Sequence, residues 1–410
     1  MRAELIAVGT ELLLGRIANT DAQYLSRQLS ALGIDVYHHI TVGDNPARLR
    51  EALAEALSRS DLVITSGGLG PTMDDLTKET VAEYFGVPLE LHQESMDRLQ
   101  DYFRRTNRPM TDNNKKQALM PVGCVVLRNE RGTAPGCILE REGKAVMILP
   151  GPPRELIHMF EHAALPWLRA RSTDVMASRW LKVVAVGESR VEDMLKPLME
   201  AQTNPTLALY ASPGIVLVRI TAKCARGADP LALIAPVAER VREILGPDAV
   251  FGEGDDTLES VTVAALRRRG WKVAVAESCT GGLVAAQLVS VPGVSDLFQE
   301  GVVCYANQSK MNRLGVSPET LATHGAVSAQ TAGEMARGLL GTSGADVAVS
   351  TTGIAGPGGG TPEKPVGLVY VGVASPLGVF THELHLTGDR EHIRTMAALH
   401  AINFLRLAAG

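Results

Sequence analysis

Residues 1–90 alternate short apolar runs with helical periodicity, and this alternation restricts the possible folds more than any other feature of the chain. Glu4–Val8 reads as a strand. Asn19-Thr20-Asp21 are good N-cap residues; Ala22, Leu25, Leu29 and Leu32 then recur at helical spacing until Gly33 closes the pattern. Ile34–Ile40 reads as a second strand. Pro46 opens a helix with Leu49, Leu53 and Leu57 on one face, and Asp61-Leu-Val-Ile-Thr65 is a third strand. A β-α-β-α-β order implies a parallel sheet covered by helices on its faces. Further strand-like runs come at Cys124–Leu127 and Ala145–Leu149, before Pro150-Gly-Pro-Pro153 breaks the chain ahead of another helix.

With 410 residues the chain exceeds one ordinary core, and about 150 residues per domain predicts two or three domains. The first boundary is placed near residue 170. Residues 179–186 read as a strand, 189–200 as a helix, and Leu207–Tyr210 and Ile215–Ala222 as strands around the turn Ser212-Pro-Gly214. A helix over 229–245 completes a β-α-β-β-α unit, and Gly252–Asp256 reads as a polar, flexible connector. A third segment opens with a helix over 257–269, where Asp256 and Glu259 make a capping-box pattern and Gly270 a stop. Strand and helix signals alternate from there to the C-terminus. The domains expected are therefore 1–170, 171–252 and 253–410.

Composition excludes several classes of function. Lys and Arg number 40 against 45 Asp and Glu, a net charge of −5, which argues against a mainly electrostatic grip on nucleic acid. Aromatic residues make up 4%, too few for base-stacking platforms. No apolar stretch reaches the roughly 18–20 uncharged residues of a membrane helix, and the N-terminus reads as a first strand rather than a signal peptide. Five cysteines at 124, 137, 224, 279 and 304 lack close metal-ligand spacing. Free thiols and a cytoplasmic location are expected.

Three Gly-rich turns follow apolar strands, at Ser66–Gly70, Thr280–Gly282 and Thr352–Gly360. In open α/β sheets ligands sit at such carboxyl ends. The first turn belongs to Thr65-Ser-Gly-Gly-Leu-Gly-Pro-Thr-Met-Asp-Asp-Leu-Thr77. Ser66, Gly67, Gly68, Gly70 and Thr72 suit an anion held by backbone amides, aided by a following helix N-terminus. The stretch is neither a Walker loop nor a dinucleotide fingerprint. Asp74 and Asp75, joined by Asp44 from the end of the second strand, are hard oxygen ligands of the kind that hold Mg²⁺ beside a phosphate. Lys115, Lys116 and Arg154 are candidate phosphate partners.

The second turn, Ala276-Glu-Ser-Cys-Thr-Gly-Gly282, sets three potential nucleophiles side by side. Ser278 would stand exposed at the sheet edge, with Thr280, Gly281, Gly282 and the following helix start supplying oxyanion-hole amides. Glu277 is a poor base for it, because neighbouring side chains leaving a strand point to opposite faces. Tyr305 and Lys310 lie at the end of the next strand, and a lysine becomes a base if burial lowers its pKa. Thr352 before Gly353, at another strand end, is placed to orient substrate or complete a hydroxyl relay. Cys279 is the competing nucleophile; a helix N-terminus lowers a cysteine pKa, and His324, His382 and His385 are its candidate partners.

Both halves of the chain resemble one family. Gly9-Thr-Glu-Leu-Leu13, the Gly-Gly-x-Gly turn, Gly132-Thr-Ala-Pro-Gly136 and Leu149–Leu156 look like the molybdopterin-binding-like domain of the competence/damage-inducible protein CinA family. Ala276–Gly282, Tyr305-x-Asn-x-x-Lys310, His324–Ser328, Gly353–Pro357 and Glu363–Gly367 resemble its C-terminal domain. The resemblance implies two three-layer α/β/α domains with largely parallel sheets, separated by a small KH-like α+β domain. It implies an ADP-ribose pyrophosphatase in front, dependent on a divalent metal of the Mg²⁺ or Co²⁺ type, with Asp75 as the motif aspartate. It implies a metal-free amidase behind, converting nicotinamide mononucleotide to nicotinate mononucleotide and ammonia, with Ser278 as nucleophile and Tyr305, Lys310 and Thr352 as helpers. Arg390 and Arg394 would meet the substrate phosphate. The KH-like unit reads Gly187-Glu-Ser-Arg190 where an RNA-clamping Gly-x-x-Gly loop would stand, so RNA binding is not expected. The family further implies a homodimer. The rival expectations are an enzyme of molybdopterin metabolism and a non-enzymatic competence or DNA-processing partner.

Overall fold

The computed structural model describes residues 1–410. The chain divides into two compact units, Met1–Ala177 with Ala222–Leu231, and Ser178–Thr221 with Ala232–Gly410.

The first unit runs β1 (Arg2–Val8), α1 (Thr10–Leu13), α2 (Thr20–Ala31), β2 (Asp35–Val42), α3 (Pro46–Arg59), β3 (Leu62–Ser66), α4 (Thr77–Tyr84), β4 (Leu89–Leu91), α5 (Gln93–Arg105), β5 (Leu119–Pro121), β6 (Val125–Leu127), β7 (Gly136–Arg141), β8 (Lys144–Leu149), α6 (Pro153–Met159) and α7 (Leu165–Arg171). Its main sheet has the order β2-β1-β3-β8-β7-β6. The pairs from β2 to β8 are parallel, and β7 and β6 add antiparallel strands at one side. The β7–β8 hairpin turns on Glu142 and Gly143, with φ of 51° and 75°, the positive pair that suits right-twisted strands. Side chains alternate between two cores, as a period of two requires. Leu5, Leu62, Ile64, Met147 and Leu149 pack on α2, α6 and α7, while Ile6, Val8, Val63, Val146 and Ile148 pack on α3 and α4.

Next come β9 (Asp174–Val184), α8 (Glu188–Ala201), β10 (Thr206–Ser212), β11 (Ile215–Ala225), α9 (Pro230–Leu245) and β12 (Val250–Glu253), with sheet order β10-β11-β9-β12. This is the expected β-α-β-β-α unit with one addition. Gly252 and Glu253, read above as flexible connector, pair with β9 as part of a fourth strand. The apolar Val250 and Phe251 just before them are buried and carry that strand into the core.

The last segment consists of α10 (Leu258–Arg269), β13 (Val273–Glu277), α11 (Leu283–Val289), β14 (Phe298–Val303), α12 (Asn307–Leu314), α13 (Pro318–His324), α14 (Ala329–Ser343), β15 (Val347–Gly353), β16 (Leu368–Ser375), β17 (Gly378–His385) and α15 (Arg390–Ala409). The capping box of α10 is formed by Thr257 and Ser260, not Asp256 and Glu259. The Asp256 carboxylate instead accepts the Glu253 amide and closes the preceding turn. The sheet order is β14-β13-β15-β16-β17, parallel among the first three strands and antiparallel thereafter. Val273, Val275, Val347 and Val349 face α10, α11 and α15; the smaller Ala274, Ala276 and Ala348 face α12 and α14. The chain thus holds two mixed, centrally parallel α/β layers with the small α+β unit between them in sequence. No helix is long and apolar enough to cross a membrane.

Candidate active sites at two sheet edges

Parallel pairing of β1, β3 and β8 brings their carboxyl ends to one edge, where a cavity of 670 Å³ opens. Ser66, Gly67, Gly68, Gly70, Thr72, Asp74, Asp75 and Asp44 all line it. The loop needs its glycines. A Cβ on Gly67, at φ 101°, would lie 2.2 Å from the Val8 carbonyl oxygen, and one on Gly68, at φ 68°, 2.1 Å from Thr77 Oγ1. Asp75 Oδ2 accepts from the Thr72 amide at 2.9 Å and hydroxyl at 2.5 Å, and Asp44 Oδ2 accepts from the Thr10 amide at 3.0 Å and hydroxyl at 2.7 Å.

The charge of the lining is one-sided. Glu11, Asp21, Asp44, Asp74, Asp75 and Glu155 contribute carboxylates, and no Lys, Arg or His lines the cavity. Of the basic phosphate partners considered from the sequence, Lys115 pairs with Asp112, Lys116 braces the loop by donating to the Thr72 carbonyl at 2.9 Å without lining the cavity, and Arg154 does not line it either. An anionic ligand entering here would meet backbone amides but no side-chain cation of the lining. No group of three or more His, Cys, Asp or Glu side chains is placed to hold a metal ion alone. The donor set fits a divalent ion of the Mg²⁺ kind, which takes one or two carboxylates and completes its shell with water and substrate phosphate. Asp44 and Asp75 are the residues that would hold it.

At the second edge the chain leaves β13 through Ser278. Glu277 and Ser278 take opposite faces, as strand alternation requires. The buried Glu277 carboxylate turns toward α11 and accepts the amides of Gly282 at 2.8 Å, Val284 at 3.2 Å and Ala285 at 2.9 Å. A carboxylate satisfying free amides at a helix start is strongly stabilising. Glu277→Ala is expected to lower the unfolding free energy by about 3 kcal/mol, measured by denaturant titration. The amides of Gly282, Val284 and Ala285 are thereby occupied, so Gly282 and the helix start do not supply free oxyanion donors.

Ser278 faces α12. Lys310, on that helix and 1% exposed, places Nζ 3.0 Å from Ser278 Oγ, and also 2.9 Å from the Cys304 carbonyl oxygen and 3.0 Å from that of Tyr305. Burial holds the Lys310 amine below its ordinary pKa. Three partners suit both protonation states. The ammonium donates to all three, and the neutral amine donates to the two carbonyls and accepts from the Ser278 hydroxyl.

The other predicted residues lie around this pair in different roles. The Tyr305 phenol is exposed and accepts from Arg390 at 3.3 Å, so it is the Tyr305 carbonyl that touches Lys310. Arg390 also donates to the Gly356 carbonyl at 2.6 Å, and Arg394 to that of Thr280 at 2.9 Å. The Thr352 hydroxyl donates to the Ala326 carbonyl at 2.7 Å. Gly353 is packed so closely that a Cβ would lie 2.8 Å from the Leu368 carbonyl oxygen. Thr351, which the sequence reading passed over, bonds its hydroxyl to that of Thr280 at 2.7 Å, and its carbonyl accepts the Ser278 amide at 3.0 Å. The alternation that separated Glu277 from Ser278 would also have separated Thr351 from Thr352.

Cys279 loses its candidacy. It is buried among Ala355, Val369, Ile393 and Ala397, and desolvation pushes its thiol up to about 12, overriding the helix N-terminus. Two of its proposed histidines are engaged elsewhere, His382 stacking on Phe404 with ring centroids 3.7 Å apart and His385 contacting Glu383 at 2.8 Å, and His324 is exposed at the end of α13.

An open α/β domain with a carboxylate-lined edge, and another with a serine–lysine pair, define a protein with two α/β domains, each carrying a candidate site at the carboxyl end of its sheet. Residues 4–170 match the family model described as a probable molybdopterin binding domain, 178–252 the damage-inducible protein CinA KH domain, and 255–408 the CinA C-terminal domain. The chain is 51% identical to a putative competence-damage inducible protein of Clostridium novyi, over 99% of this chain and 98% of that one. It is 50% identical to a CinA-like protein of Kosmotoga olearia, over 100% of this chain and 99% of the relative. Among solved structures, competence/damage inducible protein CihA from Agrobacterium tumefaciens is 44% identical across 37% of this chain and 93% of that one, with a TM-score of 0.36. The chain belongs to the CinA family of competence-damage inducible proteins.

Proposed function

We propose that the chain is a bifunctional hydrolase of pyridine-nucleotide breakdown products, deamidating nicotinamide mononucleotide at Ser278 and cleaving ADP-ribose in the carboxylate-lined cavity. The contact of Lys310 Nζ with Ser278 Oγ, at 3.0 Å, carries the first assignment. Neutral Lys310 takes the serine proton as Oγ attacks the carboxamide carbon. The amides of Cys279, Thr280 and Gly281 receive the developing oxyanion. The proton then passes from Lys310 to the departing nitrogen, ammonia leaves, and water hydrolyses the acyl-serine to nicotinate mononucleotide. Arg390 and Arg394 are the cations offered to the substrate phosphate. Because the amine must be neutral to act, deamidation is expected to rise with pH to a plateau. Its inflection should lie below the roughly 10.4 of a free lysine, as a pH–rate profile would show.

In the first cavity the glycine-loop amides would hold diphosphate oxygens while Thr72 keeps Asp75 in place. A divalent ion bound with the substrate would neutralise the diphosphate charge. ADP-ribose would yield AMP and ribose 5-phosphate. The family model matched by residues 4–170 favours a second reading, a pterin phosphate ligand in the same cavity. Product analysis after incubation with ADP-ribose decides between them, since a pterin-binding site would leave the diphosphate uncut.

A further inference from the structure

The first cavity contains a carboxylate that differs from the other five. Asp21, in the first turn of α2, is 8% exposed, and its Oδ1 is sealed from solvent with no hydrogen-bond donor. The cap of α2 is Asn19, whose side chain accepts the Ala22 amide at 3.0 Å, so Asp21 is not consumed in capping. Asp44 and Asp75 are each tied down by a threonine, whereas Asp21 has no such partner. Across the cavity its charged neighbours are Glu11, Asp44, Asp74, Asp75 and Glu155. On the elements packed against α2, Glu161 bonds Tyr24 and His39 contacts Ser26; the Glu4, Arg154 and His158 side chains do not line the cavity. A buried carboxylate without a partner is costly to keep, and such groups concentrate where proton transfer is needed.

We propose that Asp21 is the general base of the first site, taking the proton from the water that attacks the diphosphate of ADP-ribose. The inference rests on the diphosphatase reading above. In the step, water oxygen bonds to one phosphorus, the bridging P–O bond breaks, and the electron pair leaves on the departing phosphate. One water proton goes to the Asp21 carboxylate and from there to the departing phosphate oxygen, while the other stays on the new P–OH, which balances one diphosphate and one water against two monophosphates. Burial supports the role, since desolvation raises the Asp21 pKa from 3.8 to about 6, close to the operating pH that favours a base.

The test uses the full chain and Asp21→Asn. With saturating ADP-ribose and Mg²⁺, kcat should fall about 10²–10⁴-fold. Affinity for ADP-ribose and for Mg²⁺, read by calorimetry, should stay within about threefold of wild type. The acid limb of the wild-type kcat profile, inflecting near pH 6, should disappear from any residual activity. A fold-independent readout accompanies these. A carboxylate whose folded pKa is raised loses stability as pH climbs from 3.8 to about 6. The metal-free Asp21→Asn protein should therefore melt higher than wild type at pH 8, with the gap closing toward pH 4. Retention of more than a tenth of wild-type kcat overturns the assignment, and so does a loss of Mg²⁺ affinity that parallels the loss of rate, which would make Asp21 a ligand. If wild type itself leaves ADP-ribose intact while Asp21→Asn still melts higher, the diphosphatase reading fails and takes the base with it. Loss confined to the variant's rate supports both.

Discussion

Ser278→Ala should abolish ammonia release from nicotinamide mononucleotide, lowering turnover by about 10³-fold or more, as removal of an activated serine does elsewhere. Lys310→Met should cost about 10²–10⁴-fold by removing the base. Lys310→Arg should be no better, since a guanidinium does not give up its proton at accessible pH. Cys279→Ala should remain within about threefold of wild type, because the thiol is buried in an apolar cluster and its pKa is pushed up to about 12. The four variants separate mechanisms that the sequence leaves side by side. Full activity in Ser278→Ala would remove the serine mechanism, and loss in Cys279→Ala alone would restore the cysteine. All four should unfold at similar denaturant concentrations, except that Lys310→Met empties three hydrogen bonds and is read against its own stability.

ADP-ribose hydrolysis should vanish when the protein is treated with EDTA and return when Mg²⁺ or Co²⁺ is supplied. The reason is electrostatic: a diphosphate among six carboxylates would meet no side-chain cation of the lining, and a divalent ion would neutralise its charge. Asp75→Ala should reduce the rate by about 10²-fold or more, but it also frees Thr72. Asp75→Asn keeps an oxygen for the Thr72 amide and hydroxyl while removing the charge. A comparable loss there would assign the effect to the charge rather than to the turn. Nicotinamide mononucleotide deamidation in the same EDTA-treated sample should be unchanged. Hydrolysis of ADP-ribose that survives chelation would overturn the metal-assisted reading.

The two sites were legible to different depths. The glycine turns were readable as strand ends because glycine at positive φ marks a position no other residue occupies easily; Gly67 and Gly68 have φ of 101° and 68°. Legibility stopped at charge. Lys115, Lys116 and Arg154 were the candidate phosphate partners in the sequence, yet none lines the cavity, while Glu11, Asp21 and Glu155 do. The parallel crossovers that bring β1, β3 and β8 together decide which loops meet, and crossovers are invisible to a local reading. β7 was missed for a similar reason. Its buried run Gly136–Leu139 gains strand character by pairing with β6 and β8 rather than from its own pattern.

What the chain determines by itself is periodicity: which runs become strands and helices, and which side of a strand each residue takes. That was enough to set Glu277 and Ser278 on opposite faces, since alternation is a property of the extended backbone alone. Tertiary structure decided everything that depends on burial and on partners distant in sequence. It set Lys310 against a serine 32 residues away, turned Glu277 into the clasp of α11, and sealed Cys279 among aliphatic side chains. It also left Asp21 buried without a donor. A side chain's chemistry follows its solvation and its neighbours, and these exist only once the sheet has assembled.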